Sequence, residues 1–209
     1  MSIENFYTFS SNLSRSTVQA HLARSANMND KKNSSEEYEL LKGEYSNITF
    51  PAVFIQKYGK NLEDILDTGW VSLYLISSNL KRVLEDHDLT GWKTFEIRLL
   101  NKKSEEIKGF YGFSVTGKCG AIDYNKSEII QKQVVPTGPL TKFYKGLYIG
   151  LDKWGGEDFF LPDKYLGIIV TKRVYDIFKK YKLSNVNFQN LAEVQTDEYS
   201  VEVAVENMK

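Results

Sequence analysis

Cysteine occurs once, at Cys119, which rules out an intrachain disulfide and any multi-cysteine zinc site and fits a reducing compartment. Histidine occurs only at His21 and His87, so histidine bases and ligands are scarce. Neither GxGxxG ahead of a helix nor GxxxxGK[ST] is present, which removes nucleotide cradles of those two types. An excess of charge of either sign is also missing. Lys plus Arg and Asp plus Glu number 27 each and the pI is near 6.8, so nothing global attracts nucleic acid or an anionic membrane. No apolar run approaches the roughly 20 residues needed to cross a bilayer, and MSIENFYTF lacks a basic start followed by an apolar stretch. A soluble cytoplasmic protein is the expectation.

What is present is ordinary globular material: 209 residues, 42% hydrophobic and 26% charged, enough for a real core. Residues 1–37 read as a weakly structured amino-terminal segment and 38–209 as one domain. Within the first part, Asn27 to Glu37 is the most polar window and reads as a loop or boundary.

The most informative stretch runs from Leu73 to Leu99 and reads strand, helix, turn, strand. Ser77 or Ser78 can cap the helix, Leu80, Val83 and Leu84 share a face, and Asp88, Thr90 and Gly91 end it. Phe95, Ile97 and Leu99 then alternate with polar residues, the period of a strand with one buried face. Gly167 to Phe188 has the same order, with Thr171 as cap and Val174, Ile177, Phe178 and Tyr181 at helical spacing. Superposing Thr171 on Ser77, an offset of 94 residues, also aligns Leu183 with Leu89 and Ser184-Asn185 with Thr90-Gly91. Two readings stay open, an internal duplication or independent use of one economical connection. Agreement in residue class rather than identity puts the second ahead.

Elsewhere, Tyr45 to Phe54 around Pro51 suits an edge strand or extended connection rather than a central strand, and Leu62, Ile65 and Leu66 suggest a short amphipathic turn or helix stopped near Gly69. NKKSEE at 101–106 is a polar turn of a hairpin, and Ile107 to Val115 reads as its second strand, with a bulge at its glycines. Glu128 to Val135 and the segment holding Phe143, Tyr144, Leu147, Tyr148 and Ile149 read as strands, as does the alternating tail Val194 to Glu206. Together these predict an α+β fold, a mainly antiparallel or mixed sheet with at least two amphipathic helices packed on it.

Catalytic constellations are sparse. TGKCGA shows no activating helix start around Cys119, and Asp152, Glu157 and Asp158 lack the donor pattern of a calcium loop. No cofactor, no metal and no catalytic residue is assigned. Tyr148 to Phe160 concentrates aromatics, glycines and carboxylates in a loop, where recognition residues often sit; the plainer reading is that its aromatics plug the core and its carboxylates cap turns.

The ISSNLKRVLEDHDLTGWKTFEI stretch, the KGLYIGLDKWGGEDFF loop and the VTKRVYDIFKKYKLSNVNF unit together resemble bacterial immunity proteins of polymorphic-toxin systems, the immunity protein eleven family. The resemblance spans about Trp70 to Glu193 and rests on structural rather than catalytic motifs. It implies a cytoplasmic, non-enzymatic protein that neutralises a cognate protein toxin by stoichiometric binding. On that reading Tyr148, Asp152, Trp154, Glu157, Asp158 and Phe160 form the expected contact surface. The alternative is an enzyme of unfamiliar type with a carboxylate-lined site near the Trp154 loop. A third reading is an oligomeric component that uses its carboxyl-terminal strand as an edge.

Overall fold

The computed structural model describes residues 2–12, 14–23 and 33–201. In chain order the elements are β1 (Phe6–Ser11), β2 (Gln19–Leu22), α1 (Asn33–Lys42), β3 (Ala52–Tyr58), β4 (Ile65–Asp67), β5 (Tyr74–Ser77) and α2 (Ser78–Asp86). They continue with β6 (Trp92–Phe95), β7 (Ile97–Leu100), β8 (Glu106–Ile107), β9 (Phe110–Val115), β10 (Gly117–Cys119), β11 (Glu128–Gln133) and β12 (Leu140–Lys145). Last come β13 (Phe159–Pro162), β14 (Ile168–Thr171), α3 (Lys172–Lys180), β15 (Val186–Asn190) and β16 (Gln195–Asp197). Mixed and antiparallel sheets with helices make this an α+β fold.

The expected hairpin around NKKSEE is present, but each arm divides into two strands. Trp92 to Phe95 pairs with Gly112 to Val115, and Leu99-Leu100 pairs with Glu106-Ile107. The arms break at Glu96 and at Lys108-Gly109, where Gly109 takes a φ of +84°. Beyond the break the partners change: β9 continues to β5, whereas β7 continues to β3. The eight-stranded order is therefore β6-β9-β5-β4-β2-β3-β7-β8, with one hairpin at both ends. In a flat sheet β6 and β7 would lie six strand spacings, roughly 29 Å, apart. One linking residue spans only about 7 Å, so the sheet must curl until its ends meet.

Five-stranded sheet β10-β13-β14-β1-β15 repeats part of this arrangement. Its strands correspond to β2-β4-β5-β9-β6, down to the parallel pairing of β10 with β13 and of β2 with β4. At an offset of 94, α3 starts and stops where α2 does, the pair Phe159↔Val170 matches Ile65↔Ile76, and Lys182 and Asn185 take positive φ like Asp88 and Gly91. The remaining strand follows a different offset. FYTFS at 6–10 matches FYGFS at 110–114, and Phe6↔Thr171 matches Phe110↔Ser77. Each half thus opens with an FY(T/G)FS strand that inserts into the other half's sheet, as in a strand-exchanged dimer written into one chain. Caps and stops shared by chance would not reproduce whole-sheet register, so duplication supersedes independent use of one connection.

Several expectations are corrected by this architecture. The amino-terminal strand β1 lies between β14 and β15, with Phe6 and Phe9 buried, because it is the exchanged strand. Residues 27–32 of the expected polar loop lie outside the described residues, but 33–37 open α1, which Leu40 and Leu41 anchor in the core. Ile65 and Leu66 are consecutive and both buried, so they form a strand rather than a helix; Leu62 is exposed. β3 is an interior strand, not an edge. The strand at Phe143-Tyr144 begins earlier, at Leu140, and ends before Gly146 (φ +89°). Of the described part of the tail, Gln195–Asp197 forms a strand and 198–201 is helical; 202–206 lies outside the described residues.

Helix α2 neighbours β5 of the eight-stranded sheet, and α3 neighbours β14 and β1 of the five-stranded sheet. Leu80 and Leu84 meet Val174 and Phe178 in a single core through Phe9, Phe113 and Phe159. Val83 is buried, Ile177 is half-buried and packed against that core, and Tyr181 is exposed. A second core lies on the other face of the five-stranded sheet and gathers Phe6, Cys119, Phe160, Ile169 and Leu191.

Candidate functional site

The pseudo-symmetry separates scaffold from addition. Between β10 and β13 the second half carries residues 120–158, comprising the β11–β12 hairpin and the aromatic loop, and β16 adds to that hairpin as a small third sheet. In the corresponding place, between β2 and β4, the first half carries α1 and β3 instead, so neither insert has a twin.

The hairpin is formed in register from Glu128↔Lys145 to Gln133↔Leu140. Five of the six β11 residues are exposed. Ile129 and Leu140 stand at opposite ends of one face, 59% and 65% exposed, and Val134 and Val135 lie at the turn, 59% and 56% exposed. These four account for nearly half of the nine large apolar side chains exposed among the described residues. A solvated hairpin gains little in stability from such exposed apolar side chains. Around them the charges are mixed: Lys142 pairs with Glu198 at 2.9 Å and Lys145 with Glu193 at 3.5 Å. At its base the hairpin meets the loop in an open cavity of about 460 Å³, lined by Ile3, Glu128, Lys145, Tyr148, Leu151 and Glu193 among others.

The expected contact residues divide into two groups. Tyr148 is half-buried at that cavity, and Asp152 is exposed. Trp154 is half-buried, edge-on to Phe6 at 5.3 Å and tilted on Phe160 at 5.7 Å, while its Nε1 donates to the Glu157 carbonyl at 3.0 Å. Glu157 turns its carboxylate back to accept from the Gly155 amide at 3.0 Å. Phe160 is fully buried in the second core and Asp158 is 5% exposed, so neither is surface. The three carboxylates do not converge, and none of them lines the neighbouring cavity.

Asp158 has an interior task. Its carboxylate accepts from the Thr171 hydroxyl at 2.9 Å, the Thr90 amide at 3.1 Å and Arg173 Nη1 at 3.0 Å. Arg173 also donates to the His87 carbonyl, tying the start of α3 to the end of α2. Asp64 mirrors it, accepting from the Ser77 hydroxyl at 2.6 Å, the Ser184 amide at 2.9 Å and Asn79 Nδ2 at 3.1 Å. Burial pushes the Asp64 carboxyl up, but these hydrogen bonds outweigh it and hold the group below the usual carboxylate range. Ser77 also caps α2, accepting from the Leu80 amide while it donates to Asp64; Thr171 donates to Asp158 in the same way but makes no side-chain cap bond. The carboxylates are structural joints.

Cys119 is wholly buried, and its thiol is pushed up to about 12 by burial and by Asp163 and Asp152, the opposite of an activated nucleophile. His21 lies on β2 with its ring against Gly69, and His87 caps the end of α2 with its ring 5.1 Å from that of Tyr181. Among the described residues no group of three or more His, Cys, Asp or Glu side chains could hold a metal ion. No helix of the described residues is long and apolar enough to cross a membrane. The hairpin residues Ile129 and Leu140 were not among the expected site residues, although EII and VVPTGPL mark an apolar strand and turn without a core pattern.

No significant match exists among curated proteins. The immunity protein family Imm11, by contrast, matches residues 6–193, a span that takes in both exchanged strands and both inserts. The chain belongs to the Imm11 immunity protein family.

Proposed function

We propose that this protein neutralises a cognate protein toxin in the cytoplasm of the producing cell by stoichiometric binding, without catalysis, cofactor or metal. The observation that carries the reading is the exposed apolar cluster Ile129, Val134, Val135 and Leu140 on an insert that has no counterpart in the other half. Family membership supplies the toxin-neutralising role. In this reading the hairpin face is the centre of the contact and its paired charges form the rim. Tyr148, Asp152, Trp154 and Glu157 extend the contact along the following loop, and Asp158 and Phe160 hold that loop from within. Because the rim carries both signs, the toxin face it fits is apolar at the centre and not strongly basic.

Neighbouring genes provide the test. The toxin domain encoded beside this gene, purified as an inactive variant, is titrated with the protein by calorimetry. A saturable 1:1 complex is expected, and Ile129→Ser with Leu140→Ser weakens it roughly tenfold or more. Absence of binding to any toxin domain encoded alongside the gene would overturn the proposal.

A further inference from the structure

Strand β11 is the edge of its sheet, and no strand among the described residues pairs with its outer side. Free edges are normally protected by a bulge, a proline, short length or charged side chains, lysine above all. β11 has six residues, no proline and an unbroken register with β12. Its one lysine, Lys132, is turned inward across the sheet, with Nζ 2.6 Å from Gln195 Oε1 and 4.1 Å from the centre of the Phe143 ring. β11 thus presents six residues of regular, unpaired edge, with Lys132 folded back over its own sheet.

We propose that β11 pairs antiparallel with β11 of a second copy of this chain, about a two-fold axis at Ile130. The charge pattern of EIIQKQ selects this occupant and this register. With Ile130 opposite its own copy, Glu128 faces Lys132 of the second chain and Lys132 faces its Glu128, giving two opposite-charge cross-strand pairs from one symmetric contact. Ile129 then faces Gln131 of the other copy, and the two three-stranded sheets become one of six strands. Glu128 and Lys132 are both exposed, and Lys132 exchanges Gln195 for the carboxylate of the second copy when these pairs form. An edge contact of this size gives a weak, concentration-dependent dimer. It uses the backbone rim of the hairpin and leaves the Leu140 end of its face open.

Sedimentation velocity of the full chain over a wide concentration range tests the proposal. Reversible dimerisation is expected. Glu128→Lys alone sets Lys against Lys at both pairs, and Lys132→Glu alone sets Glu against Glu. Each is expected to weaken the dimer roughly tenfold. The double variant Glu128→Lys with Lys132→Glu restores opposite charges and with them the dimer. A strictly monomeric protein overturns the proposal, as does a dimer indifferent to the single reversals or one that the double variant fails to restore. Circular dichroism of each variant confirms that the exposed substitutions leave the fold unchanged.

Discussion

Asp64 and Asp158 stand 94 residues apart and hold reciprocal positions. Each carboxylate accepts from the cap residue of its own helix, Ser77 or Thr171, and from the turn that ends the other helix, Ser184 or Thr90. Each is therefore a joint between the two halves rather than a local cap. Asp64→Ala is expected to cost about 2 kcal/mol and Asp158→Ala about 3 kcal/mol, the second more because it is buried and also takes the carboxylate from Arg173, which keeps only the His87 carbonyl. Urea unfolding at neutral pH measures both.

Acid stability follows from Asp64. Its carboxyl titrates below the ordinary 3.8 in the folded protein, so its contribution is fully present above that pH and is lost as pH falls through the lower folded value. Asp64→Asn should therefore flatten the acid limb of the stability profile below the ordinary carboxylate range. Urea midpoints across that limb, compared with wild type, check the sign.

One substitution distinguishes the exchanged strands. Gly112 in FYGFS lies opposite Phe95, whose ring fills the space a Cβ would need, whereas Thr8 in FYTFS lies opposite Gln189. Gly112→Thr alone is expected to cost about 3 kcal/mol through overpacking. Combined with Phe95→Gln, which installs the second half's pair, the loss should be clearly smaller than the sum of the two single losses. A double-mutant cycle reads the coupling.

Cys119 offers a probe of the second core. Buried, with its thiol pushed up to about 12, it should resist alkylation by iodoacetamide at neutral pH until the chain unfolds. Labelling in native buffer followed by mass spectrometry is the check.

Much of the two strand-helix-strand units was legible in the sequence, because caps, stops and helical periodicity are local signals. Ser77, Leu80, Val83, Leu84 and Gly91 hold the roles their spacing assigns. The strand exchange was less accessible. FYTFS and FYGFS repeat at a spacing of 104, whereas the helical units repeat at 94, so an alignment anchored on the caps does not bring the two strands together. Partner choice is equally hidden: the alternation from Phe95 to Leu99 continues through Glu96, yet the chain changes neighbours there. In the loop, carboxylates and aromatics carry the same residue types whether they face solvent or core, so composition does not reveal that Asp158 and Phe160 point inward.

Protection of growth is the most direct measurement of the central claim. Cells expressing the active toxin encoded beside this gene are supplied with wild-type protein or with Ile129→Ser plus Leu140→Ser, at matched abundance and matched melting temperature. Full protection by wild type and its loss with the hairpin variant is the expected result. Death of the cells despite abundant folded wild-type protein, or undiminished protection by the variant, would contradict the account.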